Sequence, residues 1–175
     1  VINSNTRDIT IQGTGSGTNN NNEGFYANNA AIETGSGSIL ISAEGSALAA
    51  GSVNSGVDLI DTSILTSDGE INVTVIAGGG GSSYGIHLRE SVGNTSISVS
   101  GSGTIVLNAT EGTNEGFVME NTSSLSGGTS INIITDSILL DLNSLVSGSG
   151  LLTIQPETAL TTMGLGTGAA GDLNL

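Results

Sequence analysis

The sequence predicts an all-β fold, a right-handed parallel β-helix (β-solenoid) of about five to six coils with three short strands per coil. Three observations lead to this prediction. Short segments of alternating apolar and polar residues recur along the chain, and most of them follow a Gly-rich corner. The segments return with a period of about thirty residues, as in repeat proteins. No stretch shows a sustained helical period, which indicates that the segments are strands and not helices.

The first marker of the repeat is a three-residue segment with aliphatic residues at its first and third positions. Its copies start 30, 34, 32, 26 and 21 residues apart, at Ile9, Ile39, Val73, Ile105, Ile131 and Leu152. A period of two places the aliphatic side chains of a strand on one face. Because such short strands are not stable alone, we expect the copies to stack about 4.8 Å apart, with equivalent side chains in columns.

Two further markers complete each coil. The second begins with a glycine and occurs at Gly24, Gly56, Gly85 and Gly116. Within it, Phe25 and Phe117 are expected to face the core and Tyr26 to face outward. The third is a single aliphatic residue before the next corner, at Ile32, Ile64, Leu125 and Leu145. A strand-like piece within residues 91–100 has no assigned place in this scheme.

Loops of different length explain the irregular period. Residues 14–23, 45–55, 78–83 and 111–115 all lie between the first and second markers, so we expect them at one edge of the solenoid. Residues 151–175 lack the second marker and contain Pro156, which predicts an altered coil. Residues 1–175 are interpreted as a single solenoid segment of a longer polypeptide.

Two alternatives, a β-sandwich and a flexible linker, agree less well with the sequence than the solenoid does. A β-sandwich needs antiparallel hairpins, with Asn-Gly or Asp-Gly turns roughly every 8–12 residues. The chain has one Asp-Gly pair, Asp68-Gly69, and no Asn-Gly pair. A flexible linker, suggested by the abundance of Gly and Ser, is disfavoured by the even spacing of the aliphatic residues.

The charge balance excludes several classes of function. Sixteen Asp and Glu residues face two Arg and no Lys, which gives a net charge of −14 at pH 7. A chain with this net charge repels nucleic acid and anionic lipid, and it attracts divalent cations or basic partners. No apolar run is long enough for a transmembrane helix, so no membrane insertion is predicted. The absence of Cys removes disulfide and thiolate chemistry.

The repeat itself resembles a known family. The unit in residues 101–135 reads as a Gly-Ser-Gly corner, a strand, an acidic loop, a glycine-led second strand and a Ser/Thr-rich stretch. This pattern, and the tail at residues 148–175, resemble the β-strand repeats of filamentous-haemagglutinin-like proteins, which are large bacterial surface and secreted proteins. The resemblance implies a β-solenoid at the bacterial cell surface. The secretion domain of that family is absent from these residues.

Enzymes that act on carbohydrates also use β-helices, and their chemistry requires particular residues. A lyase needs a cation such as Arg89, and a hydrolase needs converging carboxylates, for which the candidates are Asp58, Asp61, Glu90 and Glu120. Stacking of the second-marker strands brings Asp58 and His87 to the same outward position in successive coils. We interpret them as a solvated cross-strand pair, and we predict no catalytic residues.

Metal binding has one candidate site. Glu111 and Glu115 flank a loop and are candidate Ca²⁺ ligands together with backbone carbonyls. The competing interpretation is that both are ordinary solvated loop acids. No other cofactor is predicted.

These observations favour a non-catalytic structural or adhesive rod, a segment of a large exported bacterial surface protein. We expect it to be extracellular and to assemble end to end or laterally into filaments. Its expected partners are flanking coils, copies of the same chain, or a glycan or protein on a host or neighbouring cell. The alternative is a carbohydrate-active β-helix enzyme, a polysaccharide lyase or hydrolase, or a glycan-binding module.

Overall fold

The computed structural model describes residues 1–48, 51 and 53–159, together with the backbone of residues 163–164 and 173–174. Seventeen strands form three sheets. Sheet A contains β1 (Ile2–Ser4), β4 (Ala31–Thr34), β7 (Ser63–Thr66), β10 (Ser96–Val99), β13 (Ser124–Gly127) and β16 (Leu145–Ser147). Sheet B contains β2 (Ile9–Thr14), β5 (Ile39–Glu44), β8 (Ile71–Ile76), β11 (Thr104–Ala109), β14 (Ser130–Ile134) and β17 (Leu151–Gln155). Sheet C contains β3 (Phe25–Asn28), β6 (Val57–Ile60), β9 (Ile86–Arg89), β12 (Phe117–Met119) and β15 (Ile138–Leu140). The short strands β18 (Met163–Gly164) and β19 (Leu173–Asn174) pair with each other.

Every pairing within the three sheets is parallel, and each strand pairs with the strand three elements further along the chain. The chain therefore visits sheets A, B and C in turn, and one visit to each makes one coil. This confirms the predicted all-β parallel solenoid with three strands per coil. It excludes the antiparallel sandwich as the arrangement of these strands.

The predicted columns of aliphatic side chains are present in sheet B. Ile39 pairs with Ile71, which pairs with Ile105, and all three are fully buried. The alignment of Val73 with Ile39 was wrong, because Val73 pairs with Ile41 one step along the strand. The predicted register was displaced by two residues. Because β8 has three inward positions, a displacement of two keeps the same face of the strand inward and leaves the alternating pattern unchanged.

The third marker proves to be a full strand in sheet A. Ile32, Ile64 and Leu125 face inward as predicted, and the unassigned piece at Ser96–Val99 supplies Ile97 to the same buried column. The assignment of Leu145 was wrong. Val146 pairs with Leu125, and Leu145 lies on the outer face with 56% of its surface exposed.

Sheet C follows the second marker. Phe117 is fully buried, Phe25 packs against the core, and Tyr26 is exposed, as predicted. The strand β15 was missed because Ser137 stands where the earlier copies have a glycine. Each fully buried aliphatic side chain of these columns contributes roughly 1.5–3 kcal/mol, so the continuous core stabilises the stack.

Glycine at the corners has a steric cause. A Cβ added to Gly103 would lie 1.9 Å from the carbonyl oxygen of Gly69, and a Cβ on Gly69 would lie 1.9 Å from that of Gly37. These glycines form a column in which the backbones of successive coils touch. At the next corner, Gly127 and Gly128 have positive φ angles of 110° and 65°, a region that L-residues with side chains rarely adopt.

Among the connections between strands of the three sheets, the four longest all run from sheet B to sheet C: residues 15–24, 45–56, 77–85 and 110–116. The prediction of loops on one edge is therefore confirmed. Of residues 151–175, for which an altered coil is predicted, the first strand is β17, and it pairs regularly with β14. Most of its remainder lies outside the described residues. Within the described part of the chain, no helix has the length and apolarity needed to cross a membrane.

Candidate functional site

The outer face of sheet C carries the main cluster of charged side chains. Strand register places Tyr26, Asp58, His87 and Val118 at the same outward position in successive coils. The stacking of Asp58 and His87 is therefore confirmed. Their interpretation as a solvated pair was wrong, because Asp58 is completely buried and His87 is 5% exposed. The outward face is covered here by neighbouring side chains.

Asp58 forms a bidentate ion pair with Arg89. The Nε and Nη2 atoms of Arg89 donate to the two carboxylate oxygens of Asp58 at 2.9 and 2.6 Å. This hydrogen-bonded contact raises the pKa of Arg89, with partial burial opposing the shift. A bidentate pair of carboxylate and guanidinium makes strong, charge-assisted hydrogen bonds and fixes both groups in one orientation.

His87 lies between two carboxylates. Its Nε2 is 2.9 Å from Oε1 of Glu120, and its Nδ1 is 3.8 Å from Oδ1 of Asp58. Among the described residues, Nδ1 is a buried nitrogen without a hydrogen-bond partner. The ring of Tyr84 packs on the imidazole, with the ring centroids 4.4 Å apart. An Nδ1–H aimed at Asp58 would need a closer approach to complete a hydrogen bond.

A cleft opens beside this cluster. It is lined by Asn21, Glu23, Tyr26 and Arg89 and has a volume of about 430 Å³. Partial burial raises the pKa of Glu23. A backbone hydrogen bond and the charge of Arg89 oppose this shift, and the charge of Asp58 adds to it. The hydroxyl oxygen of Tyr26 accepts a hydrogen bond from the Asn28 amide at 3.0 Å, which holds the ring at the edge of the cleft.

A buried asparagine in the next coil shapes the loop that lines the cleft. Asn54 is completely buried, and its side-chain oxygen accepts hydrogen bonds from the backbone and side-chain amides of Asn22 at 3.1 and 3.2 Å. Its own side-chain amide donates to the carbonyl oxygens of Gly51 and Gly79 at 3.0 and 3.1 Å. Asn21, directly before the pinned residue, has a positive φ of 60°. The loop conformation is therefore set by contacts across coils.

The other predicted carboxylates lie apart from the cleft. Asp61 accepts hydrogen bonds from the backbone N–H groups of Ser91 and Gly93, both at 2.9 Å. These bonds lower the pKa of Asp61. Glu90 accepts a hydrogen bond from the Thr122 hydroxyl. Of the four candidate carboxylates, Asp58 and Glu120 alone therefore belong to the cluster.

The structure brings Glu111 close to other acids. The pKa of Glu157 is raised by partial burial and by the charges of Asp136 and Glu111. Glu115 is absent from that set of interactions. Across the residues that the structure describes, no group of three or more His, Cys, Asp and Glu side chains is arranged to hold a metal ion. Calcium at Glu111 and Glu115 stays a prediction.

Two features of the site were missed in the sequence. The register partner of Asp58 is His87, and Arg89 lies two residues further along the same strand, diagonally across from Asp58. This ion pair can be predicted once the strands are aligned. No sequence pattern indicated Glu23 as a site residue, because the position of its loop beside the cleft depends on a hydrogen bond to Asn54 in another coil.

The chain was compared with family profiles, with curated proteins and with solved structures, and none of them matches it. The solenoid architecture is established by the strand pairing. The resemblance to filamentous-haemagglutinin-like repeats rests on the sequence pattern.

Proposed function

We propose that this chain is a non-catalytic structural rod, a segment of a large exported bacterial surface protein whose ends are covered by further coils or by copies of itself. The observation that carries the proposal is the unbroken parallel register of three sheets over a continuous aliphatic core. Solenoids of this kind extend by adding coils, and each coil contacts its neighbours alone.

The end coils support assembly along the rod axis. Ile2 in β1 is 48% exposed, whereas its register partner Ile32 is 2% exposed. Leu152 in β17 is 47% exposed, and its partner Ile131 is 4% exposed. The strands β1, β2 and β3 each end their sheet and so present a free edge. An added coil would bury these side chains and pair these edges.

A substitution at the free edge of β2 tests assembly. The amide of Ile9 donates to Ser38 in the next coil at 2.8 Å, and that of Gly15 donates to Glu44 at 2.7 Å. Backbone groups alternate in direction along a strand, so those of Gln12 point away from β5 to the free edge. Gln12→Pro removes that donor without breaking the ladder to β5.

Sedimentation velocity over a range of concentrations measures the result. We expect the unsubstituted chain and Gln12→Ala to form elongated end-to-end species, and Gln12→Pro to remain monomeric. End-to-end assembly is contradicted if Gln12→Pro associates like Gln12→Ala, or if the unsubstituted chain stays monomeric at its highest soluble concentration.

Antibodies raised against the chain should label intact cells of its source. Labelling that appears after lysis alone contradicts the surface location.

A carbohydrate-active enzyme is the second candidate, because one carboxyl group lines a cleft and two more lie in the cluster beside it. Both oxygens of Asp58 are bonded to Arg89, and Glu120 is bonded to His87. Among the described residues, Glu23 is then the one carboxyl group that lines the cleft. A single carboxyl group fits binding better than the paired acid and base of glycoside hydrolysis.

A further inference from the structure

We propose that the cleft lined by Asn21, Glu23, Tyr26 and Arg89 binds a neutral saccharide. This inference rests on the proposed rod and gives it an adhesive function. The cleft lies on the side wall of the solenoid, so binding there does not require end-to-end assembly. Four observations support it: the aromatic surface, the mixture of donors and acceptors, the charge balance and the rigidity of the lining.

The aromatic surface comes from Tyr26. Its side chain lies on the outer face of sheet C, is 49% exposed and is part of the cleft lining. The hydrogen bond from Asn28 holds the ring. A fixed aromatic ring presents a flat apolar face with a polar tip, to which the C–H face of a sugar ring is complementary.

The polar groups of the lining suit hydroxyl groups. A sugar hydroxyl both donates and accepts hydrogen bonds, so its site needs both functions. Glu23 supplies acceptors, and its partial burial, which raises its pKa, strengthens hydrogen bonds made there. The Asn21 amide supplies a donor and an acceptor. Arg89 uses Nε and Nη2 on Asp58, and within the described part of the chain its Nη1 has no protein partner and stays available as a donor.

The charge balance selects a neutral ligand. The charge of Arg89 is matched by the buried carboxylate of Asp58. Glu23 then leaves the cleft with a negative charge, on a chain whose net charge is −14. An anionic polysaccharide would meet repulsion without a free cation to offset it.

The lining is built before any ligand arrives. Asn54 pins the loop beside Asn21 and Glu23, and Asp58 fixes the guanidinium of Arg89. A preorganised site loses less conformational freedom on binding. Mixed polar and aromatic groups that converge on one cleft are the usual features of a small-ligand site.

The test uses the full 175-residue chain and titrates it with soluble neutral oligosaccharides: β-glucan, xylan and mannan fragments. The chain has two Tyr residues and no Trp, so a Tyr84→Phe background leaves Tyr26 as the sole source of tyrosine emission. We expect at least one neutral oligosaccharide to change the Tyr26 emission. Isothermal titration should show that Tyr26→Ala and Glu23→Gln each weaken binding by about tenfold or more.

Matched controls separate the cleft from the rest of the rod. Gln12→Ala, on sheet B, should bind like the unsubstituted chain, and circular dichroism should show that each variant retains its strands. Tyr26→Phe keeps the ring and should retain most of the affinity. Polygalacturonate and a short oligolysine are the charged probes, and neither should bind at the cleft.

Several results overturn the proposal. These are the absence of binding by every neutral fragment, neutral binding that is unchanged in both Tyr26→Ala and Glu23→Gln, and binding at the cleft by polygalacturonate or oligolysine alone. Sedimentation of the same samples separates this proposal from the proposed assembly of the rod. A chain that assembles but binds no sugar contradicts saccharide binding alone, and a monomer that binds sugar contradicts end-to-end assembly alone.

Discussion

The Asp58–Arg89 pair allows a quantitative test of the site. Arg89→Met keeps most of the aliphatic stem of the side chain and removes its charge, which leaves the completely buried carboxylate of Asp58 without its two hydrogen bonds. Breaking a buried pair in this way costs about 3–5 kcal/mol. Because the Arg89 side chain is 33% exposed, water reaches the vacated space, and we expect a loss near the lower end, about 3 kcal/mol.

Urea denaturation followed by far-ultraviolet circular dichroism measures this loss, since the chain has no Trp. The same substitution at the exposed Arg7 is the matched control, with an expected change of about 0.5 kcal/mol or less. The double variant Asp58→Asn/Arg89→Met removes both charges and should recover about 2 kcal/mol relative to the sum of the single variants. The reasoning is refuted if Arg89→Met costs no more than Arg7→Met, or if the two single effects add.

Three further predictions concern the fold. Ile105→Ala removes a fully buried side chain from the middle of a column and should cost about 2–5 kcal/mol in urea unfolding, whereas Val106→Ala, at the neighbouring outward position, should cost much less. Gly103→Ala places a Cβ 1.9 Å from a carbonyl oxygen of the adjacent coil and should lower the melting temperature, whereas a Cβ on Gly93 meets its nearest atom at 3.3 Å and should be better tolerated. Asp61 has a lowered pKa because it accepts backbone hydrogen bonds, so its contribution to stability is present above the unfolded pKa, near 4, and is lost as pH falls through the lower folded value. The unfolding free energies of the wild type and Asp61→Asn should therefore differ at neutral pH and converge in acid; a gap that widens in acid would contradict this.

Side-chain alternation predicted much of the fold, because it depends on local chemistry. The inward positions of Ile39, Ile105 and Phe117 follow from a period of two, and burial of one face enforces that period. The same signal cannot separate registers that differ by two residues, which is why Val73 was aligned with the wrong partner. In Leu145-Val146 both residues are aliphatic, so alternation does not say which one faces inward.

The candidate site was less accessible from the sequence. Stacking of the second marker placed Asp58 beside His87, and the structure confirms that register. Asp58 is buried beneath the side chain of Arg89, which extends from the next coil to form the ion pair. The cleft depends on a loop that Asn54 holds from a different coil. These contacts join residues about thirty positions apart through side-chain geometry, for which a one-dimensional pattern carries no signal.

The most direct test of the central claim is the spacing of coils along the rod. Thr10, Val106, Asn132 and Thr153 occupy one outward column of sheet B. Counted in coils from Thr10, Val106 is three away, Asn132 is four away and Thr153 is five away. The chain has no Cys, so pairs of introduced cysteines with Thr10→Cys in common can carry spin labels without interference. Electron paramagnetic resonance distances should rise by about 4.8 Å per step across the three pairs. Distances that fail to increase in this order, or that shorten for the farthest pair, would contradict the parallel solenoid.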